Sequence, residues 1–79
     1  MSTQKLSNIS ISEFRRFLDL IGCKYLKTEG GHEKWGRRDL RRPVIFQTHI
    51  NPVPERIIKS NLRTLRMTRD EFLKHMAKI

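Results

Sequence analysis

Residues 28–35 read TEGGHEKW. Gly30 and Gly31 separate two short runs, one holding Tyr25, Leu26 and Thr28, the other extending from His32 to Arg37. Paired glycines supply positive φ without steric cost, so the simplest reading is two antiparallel strands joined by a tight turn. The same turn places a histidine at the first position of the second strand.

Working downstream, a basic loop over 38–42 leads to Pro43 and then to Val44, Ile45, Phe46, Gln47 and Thr48. β-branched and aromatic residues dominate that run, which predicts a third strand. Asn51-Pro52 opens a turn, and Pro54 suits the first position of a helix. Ile58, Leu62 and Leu65 recur there at helical spacing. Arg56, Lys59, Arg63 and Arg66 form a separate stripe, about 120° round the same helix. Thr68 and Glu71 have capping-box spacing, so a short last helix carrying Phe72, Leu73 and Met76 is expected.

Upstream, Ser10 and Glu13 have the same spacing, and Ile11, Phe14, Phe17, Leu18 and Ile21 share one stripe that Gly22 terminates. Arg15, Arg16 and Asp19 fall outside that stripe. Residues 1–8 are polar and aperiodic and read as a flexible tail, leaving 9–79 as a single domain. The order helix, three antiparallel strands, helix and short terminal helix predicts an α+β fold with the helices on one face of the sheet. The other face is open.

A chain of 79 residues with 37% hydrophobic content builds one small core and no elaborate cavity. Seventeen Lys and Arg against eight Asp and Glu give a formal charge of +9, so the natural partner is a polyanion. No apolar run approaches the length that crosses a bilayer, and no signal peptide is visible, so a soluble cytoplasmic protein is expected. The lone Cys23 reads as a small buried hydrophobe rather than a reactive thiol.

Alternation along the strands gives the site its geometry. If Trp35 packs inward, Glu33 points with it, and His32 and Lys34 point to the open face. With Val44 and Phe46 inward, Ile45, Gln47 and His49 point outward. His32, Lys34 and His49 then share one surface, with Arg37, Arg38, Arg41 and Arg42 at its edge. A one-residue slip of either strand reverses this assignment.

The runs GCKYLKTEGGHEKW, VIFQTH and PERIIKSNLRTLRMTRDEFL resemble the HicA toxins of bacterial type II toxin–antitoxin systems, small mRNA interferases with a double-stranded-RNA-binding-domain-like fold. The resemblance covers about Ile9 to Phe72. Its most specific part is glycine, a small residue and histidine opening the second strand, matched by Gly30, Gly31 and His32, with an aromatic three residues later matched by Trp35. The resemblance implies that His32 is the catalytic residue and mRNA the substrate. It also implies a HicB-type antitoxin that covers the site, with the free chain a monomer and the complex a hetero-oligomer. The chain departs at Gly31, where many members have serine, and at Ile50, where many have glycine.

The chemistry is also plausible from the residues. RNA cleavage can use the substrate's own 2′-hydroxyl as nucleophile, so the protein supplies a base of near-neutral pKa, cations around the phosphate and an acid for the leaving group. Histidine suits the base, Lys34 or a loop arginine the charge on phosphorus, and His49 or water the acid. No metal or cofactor is required, and no Cys–His pair has ligand spacing. RNA contact is expected from Lys34, Arg37, Arg38, Arg41, Arg42, Arg56, Lys59 and Arg63. The competing reading makes His32 a turn residue and the chain a non-catalytic RNA-binding domain. A DNA-binding role lacks a helix-turn-helix, because a strand and Pro52, Val53 and Pro54 precede the second helix. Trp35 can stack on a base, but a small core has the stronger claim on it. His75 reads as a surface residue.

Overall fold

The computed structural model describes residues 6–79. Its elements are α1 (Ile11–Leu20), β1 (Lys24–Glu29), β2 (His32–Gly36), β3 (Val44–Gln47), α2 (Glu55–Leu65) and α3 (Arg69–Met76). The three strands form one antiparallel sheet in the order β1-β2-β3. This is the expected α+β layout.

Local chemistry sets the helix ends. Ser10 and Glu13 form a reciprocal capping box at the start of α1, and Thr68 and Glu71 do the same for α3. At the end of α1 the Cys23 N–H donates to the Leu18 carbonyl and the Gly22 N–H to that of Asp19. With Gly22 at φ +89°, this is the paired-bond left-handed cap that glycine favours. α2 begins one residue later than expected, with Pro54 as its N-cap, and ends at Arg66 in the left-handed region. Asn51 Oδ1 accepts from the Ile11 N–H, and the Val53 N–H donates to Ile9, so the segment before α2 also anchors the start of α1.

The core lies between the helices and one sheet face. Phe14, Phe17, Leu18, Val44, Phe46, Ile58, Leu62, Leu65 and Phe72 are buried in it. Phe14 meets Phe46 edge-on with ring centres 5.3 Å apart, and Phe17 meets Phe72 edge-on at 4.7 Å. These contacts join α1 to β3 and to α3. Cys23 is buried and free, as expected, and burial pushes its thiol pKa up.

The tail expected over 1–8 is corrected at its end. Leu6 is 3% exposed and belongs to the core cluster with Ile9, because apolar surface this close to α1 is removed from water. Residues 1–5 of that expected tail lie outside the described residues.

β1 is the edge strand, exposed along its whole length. Its pairing with β2 shifts between Tyr25 and Lys27, so Leu26 is a bulge residue. The opposite edge, at β3, is closed by α2. Asn61 Oδ1 accepts from the Ile45 N–H at 3.2 Å, and Asn61 Nδ2 donates to the Ile45 carbonyl at 2.9 Å. A side-chain amide thus takes the place of a fourth strand at that residue.

Candidate nucleic-acid interface

Gly30 and Gly31 have φ +58° and +78°, as a primed two-residue hairpin turn requires. The turn fixes the register of β2, in which His32 faces Glu29 on one side and Gln47 on the other. Alternation then follows. Glu33 is buried and Trp35 half-buried against the core, whereas His32 is exposed and Lys34 half-exposed on the open face. Val44 and Phe46 are buried, and Ile45 is exposed.

Gln47 Nε2 lies 3.4 Å from His32 Nε2, a contact in which the amide N–H donates and the imidazole accepts in its Nδ1–H tautomer. His49 reaches the same corner by a different route. β3 ends at Gln47, but the Thr48 N–H and hydroxyl both donate to the Gly31 carbonyl, at 2.9 and 3.3 Å. That pairing folds the chain back over the turn. A Cβ on Gly31 would stand 3.4 Å from His49 Nδ1, so the imidazole lies against the glycine backbone. His32 with Gln47, and His49 against Gly31, therefore lie at the same end of the sheet, the Gly-Gly turn.

Lys34 lies one alternation further along β2. Its Nζ is 3.4 Å from Glu29 Oε1, which Lys27 also approaches at 3.5 Å. Lys27 first, then Lys34, holds the Glu29 carboxyl below its ordinary range. Glu29 is a site neighbour that the sequence reading passed over. Its register opposite His32 was readable once the two-residue turn was fixed.

On the inner face, Arg15 Nε and Nη2 donate to the two Glu33 carboxylate oxygens at 3.0 and 2.7 Å, and Trp35 Nε1 donates at 2.7 Å. Burial pushes the Glu33 pKa up, but these hydrogen bonds and the Arg15 charge outweigh it, leaving the carboxyl below its ordinary range. Trp35 is held by this contact and by Tyr25, edge-on at 6.1 Å, rather than presented for stacking. His75 is half-buried against Phe17 and accepts no role at the open face.

The expected RNA-contacting cations separate into two places. Arg38, Arg41 and Arg42 border the open face at the end remote from the Gly-Gly turn. Arg37 is there too, but Asp39 holds its guanidinium at 2.6 and 3.1 Å, and its Nη1 donates to the Ile21 carbonyl at 2.8 Å. It ties the loop to the end of α1. Arg56, Lys59 and Arg63 line a shallow recess on α2 in the helix layer, with Lys59 4.0 Å from Glu55. Arg41, Arg42 and Arg63 also border a cleft with Arg66, which connects the two regions.

Among the described residues no three His, Cys, Asp or Glu side chains converge as a metal site, and no helix is long and apolar enough to cross a membrane. No protein-family model matches the chain, and neither does a curated protein or a solved structure.

Proposed function

We propose that the chain is an endoribonuclease, the toxin component of a type II toxin–antitoxin pair, which cleaves mRNA without a metal and acts in the cytoplasm. The observation that carries the reading is an exposed His32 beside Gln47 at the Gly-Gly turn, with His49 packed on Gly31, on a sheet bordered by arginines that have no ion pair among the described residues. An RNA strand lying on the open face meets cations first and then the His32 imidazole, with His49 at the same turn. His32 acts as the base that takes the proton from the 2′-hydroxyl. The oxygen attacks the adjacent phosphorus, the 5′-oxygen leaves, and His49 or water returns a proton to it. Lys34 and a loop arginine neutralise the charge that grows on the phosphoryl oxygens. An antitoxin of the HicB type inhibits by occluding this face, converting the free monomer into a hetero-oligomer.

A second reading, RNA binding without cleavage, is favoured by one observation. Among the described residues, His32 has no carboxylate hydrogen-bonded to it, only the Gln47 amide. The deciding measurement incubates the folded chain and its folded His32→Ala variant with an unstructured mRNA in EDTA and follows fragment formation. The proposal expects cleavage by the parent and a loss of about 10²- to 10⁴-fold in the variant. Equal cutting by both removes His32 from the mechanism, and binding by both with no product establishes the second reading.

A further inference from the structure

Thirteen ångströms, roughly, from His32 along β2, at about 3.3 Å per residue over the four residues to Gly36, the open face changes character. A groove of about 710 Å³ opens there between the start of β1 and the β2–β3 loop. Leu26, Leu40 and Pro43 are its apolar lining, and Arg38, Arg41 and Arg42 are among its cations. The volume falls in the range of small-ligand sites, roughly 300–1,000 Å³. Among the described residues no carboxylate lines it.

Two features show how the sequence makes this groove. The bulge in β1 leaves Leu26 56% exposed instead of turning it into a core. Gly36 gives the leucine room, because a Cβ at position 36 would stand 2.9 Å from Leu26 Cδ1. The leucine therefore lies across β2 as part of the surface. The three guanidinium groups have no ion pair or side-chain hydrogen bond with any described residue, in contrast to Arg37.

We propose that this groove is a base-binding subsite for single-stranded RNA. An unpaired nucleobase lies on the Leu26–Leu40–Pro43 surface, its flanking phosphates meet Arg38, Arg41 and Arg42, and a guanidinium plane can cover the base from above. The span to His32 corresponds to at most about four nucleotides at the 3.4 Å stacked spacing. The inference rests on the ribonuclease reading only for its RNA ligand and for the position of the scissile phosphate. An acidic apolar peptide is the competing occupant. Peptides commonly join a sheet by adding a strand at its edge, and here Asn61 closes the β3 edge at Ile45 while a bulge and Lys24 and Lys27 interrupt the β1 edge. RNA needs no edge.

The test uses the full chain carrying His32→Ala, so that ligand survives. Its affinity is measured by fluorescence anisotropy for an eight-nucleotide unstructured RNA, of order the site sizes known for single-strand binders, and for the same backbone with abasic positions. The subsite predicts at least about fivefold weaker binding of the abasic strand. Adding Leu26→Ser, an exposed change that leaves the charge intact, removes that difference and preserves the salt dependence. Equal binding of the two strands, or an undiminished difference in the Leu26→Ser chain, overturns the subsite. Displacement of neither strand by a glutamate- and leucine-rich peptide supports RNA as the occupant; a peptide that binds in a Leu26-dependent manner while RNA does not bind overturns it. Cleavage by the His32-containing chain reads out the ribonuclease proposal separately, since base-dependent binding without cutting leaves the subsite standing.

Discussion

Arg15 of α1 grips Glu33 of β2 with two hydrogen bonds, 3.0 and 2.7 Å long, and so fixes the residue beside His32 to the helix layer. The exposed imidazole owes its direction to the buried carboxylate next to it. Rotating His32 inward would bring Glu33 out of this pairing and away from Trp35.

The pairing sets an acid limit on stability. The Glu33 carboxyl titrates below its ordinary value in the folded chain, so its contribution is complete above the unfolded value of about 4.3 and is lost as pH falls through the folded one. Glu33→Gln is expected to lower stability near neutrality by about 1.5–3 kcal/mol, the range for a hydrogen bond to a charged group. Arg15 is 46% exposed and regains water, which keeps the loss below that of a fully buried pair. Denaturant unfolding at several pH values checks it: the gap between parent and variant should be full above the unfolded value and close as pH falls through the folded one. A constant gap down to pH 2 would rule out the carboxylate as its source.

The two turn glycines separate strain from site geometry. Alanine at either position must adopt positive φ, which costs about 1–2 kcal/mol. Beside Gly30 there is open space, whereas the Cβ of Gly31→Ala would come into van der Waals contact with His49 Nδ1 at 3.4 Å. Both variants should lose similar stability, but only Gly31→Ala should move the His49 ring resonances in NMR spectra and reduce cleavage per folded molecule. Equal shifts of His49 in the two variants would show that its packing on Gly31 is incidental.

Much of this arrangement was legible in TEGGHEKW because a strand has period two and a Gly-Gly turn admits few registers. Once Trp35 faces inward, the sides of His32, Glu33 and Lys34 follow, and the structure agrees. The helix ends were legible for a similar reason, since Ser10–Glu13 and Thr68–Glu71 are local pairs. Partners distant in sequence were not. Arg15 and Glu33 lie 18 residues apart, and Asn61 and Ile45 lie 16 apart. An asparagine within an apolar stripe gives no sign of which backbone it will meet. The alternation used to place His49 ends at Gln47, and what brings His49 against Gly31 is instead the pair of hydrogen bonds from Thr48 to the Gly31 carbonyl. Arg37 looked like its neighbours in the basic loop because nothing in the sequence distinguishes a cation held by Asp39 and Ile21 from a free one.

Asn61 has a consequence for assembly. In Asn61→Ala the Ile45 N–H and carbonyl lose their side-chain partner at the sheet edge, at an expected cost of about 1–3 kcal/mol. The freed groups also become a template for another strand. Thermal or denaturant unfolding should show the loss, and light scattering after size exclusion should show association that rises with concentration. A variant as stable as the parent and of the same size in solution would mean that water replaces the amide without penalty.

Arg37 and Arg38 are adjacent in sequence but differ in role. Arg37 is committed to Asp39 and to the Ile21 carbonyl, whereas Arg38 borders the groove with no ion pair among the described residues. Arg37→Ala should therefore lower the melting temperature, because it releases the loop from the end of α1. Arg38→Ala should leave melting unchanged and reduce the dependence of log K on log salt by about 0.7, as expected when a single-stranded RNA loses one neutralised phosphate. The two effects are separable by running thermal melts and anisotropy titrations at four salt concentrations on both variants. If Arg37→Ala flattened the salt dependence and left stability untouched, Asp39 would be a weaker competitor for its guanidinium than RNA is.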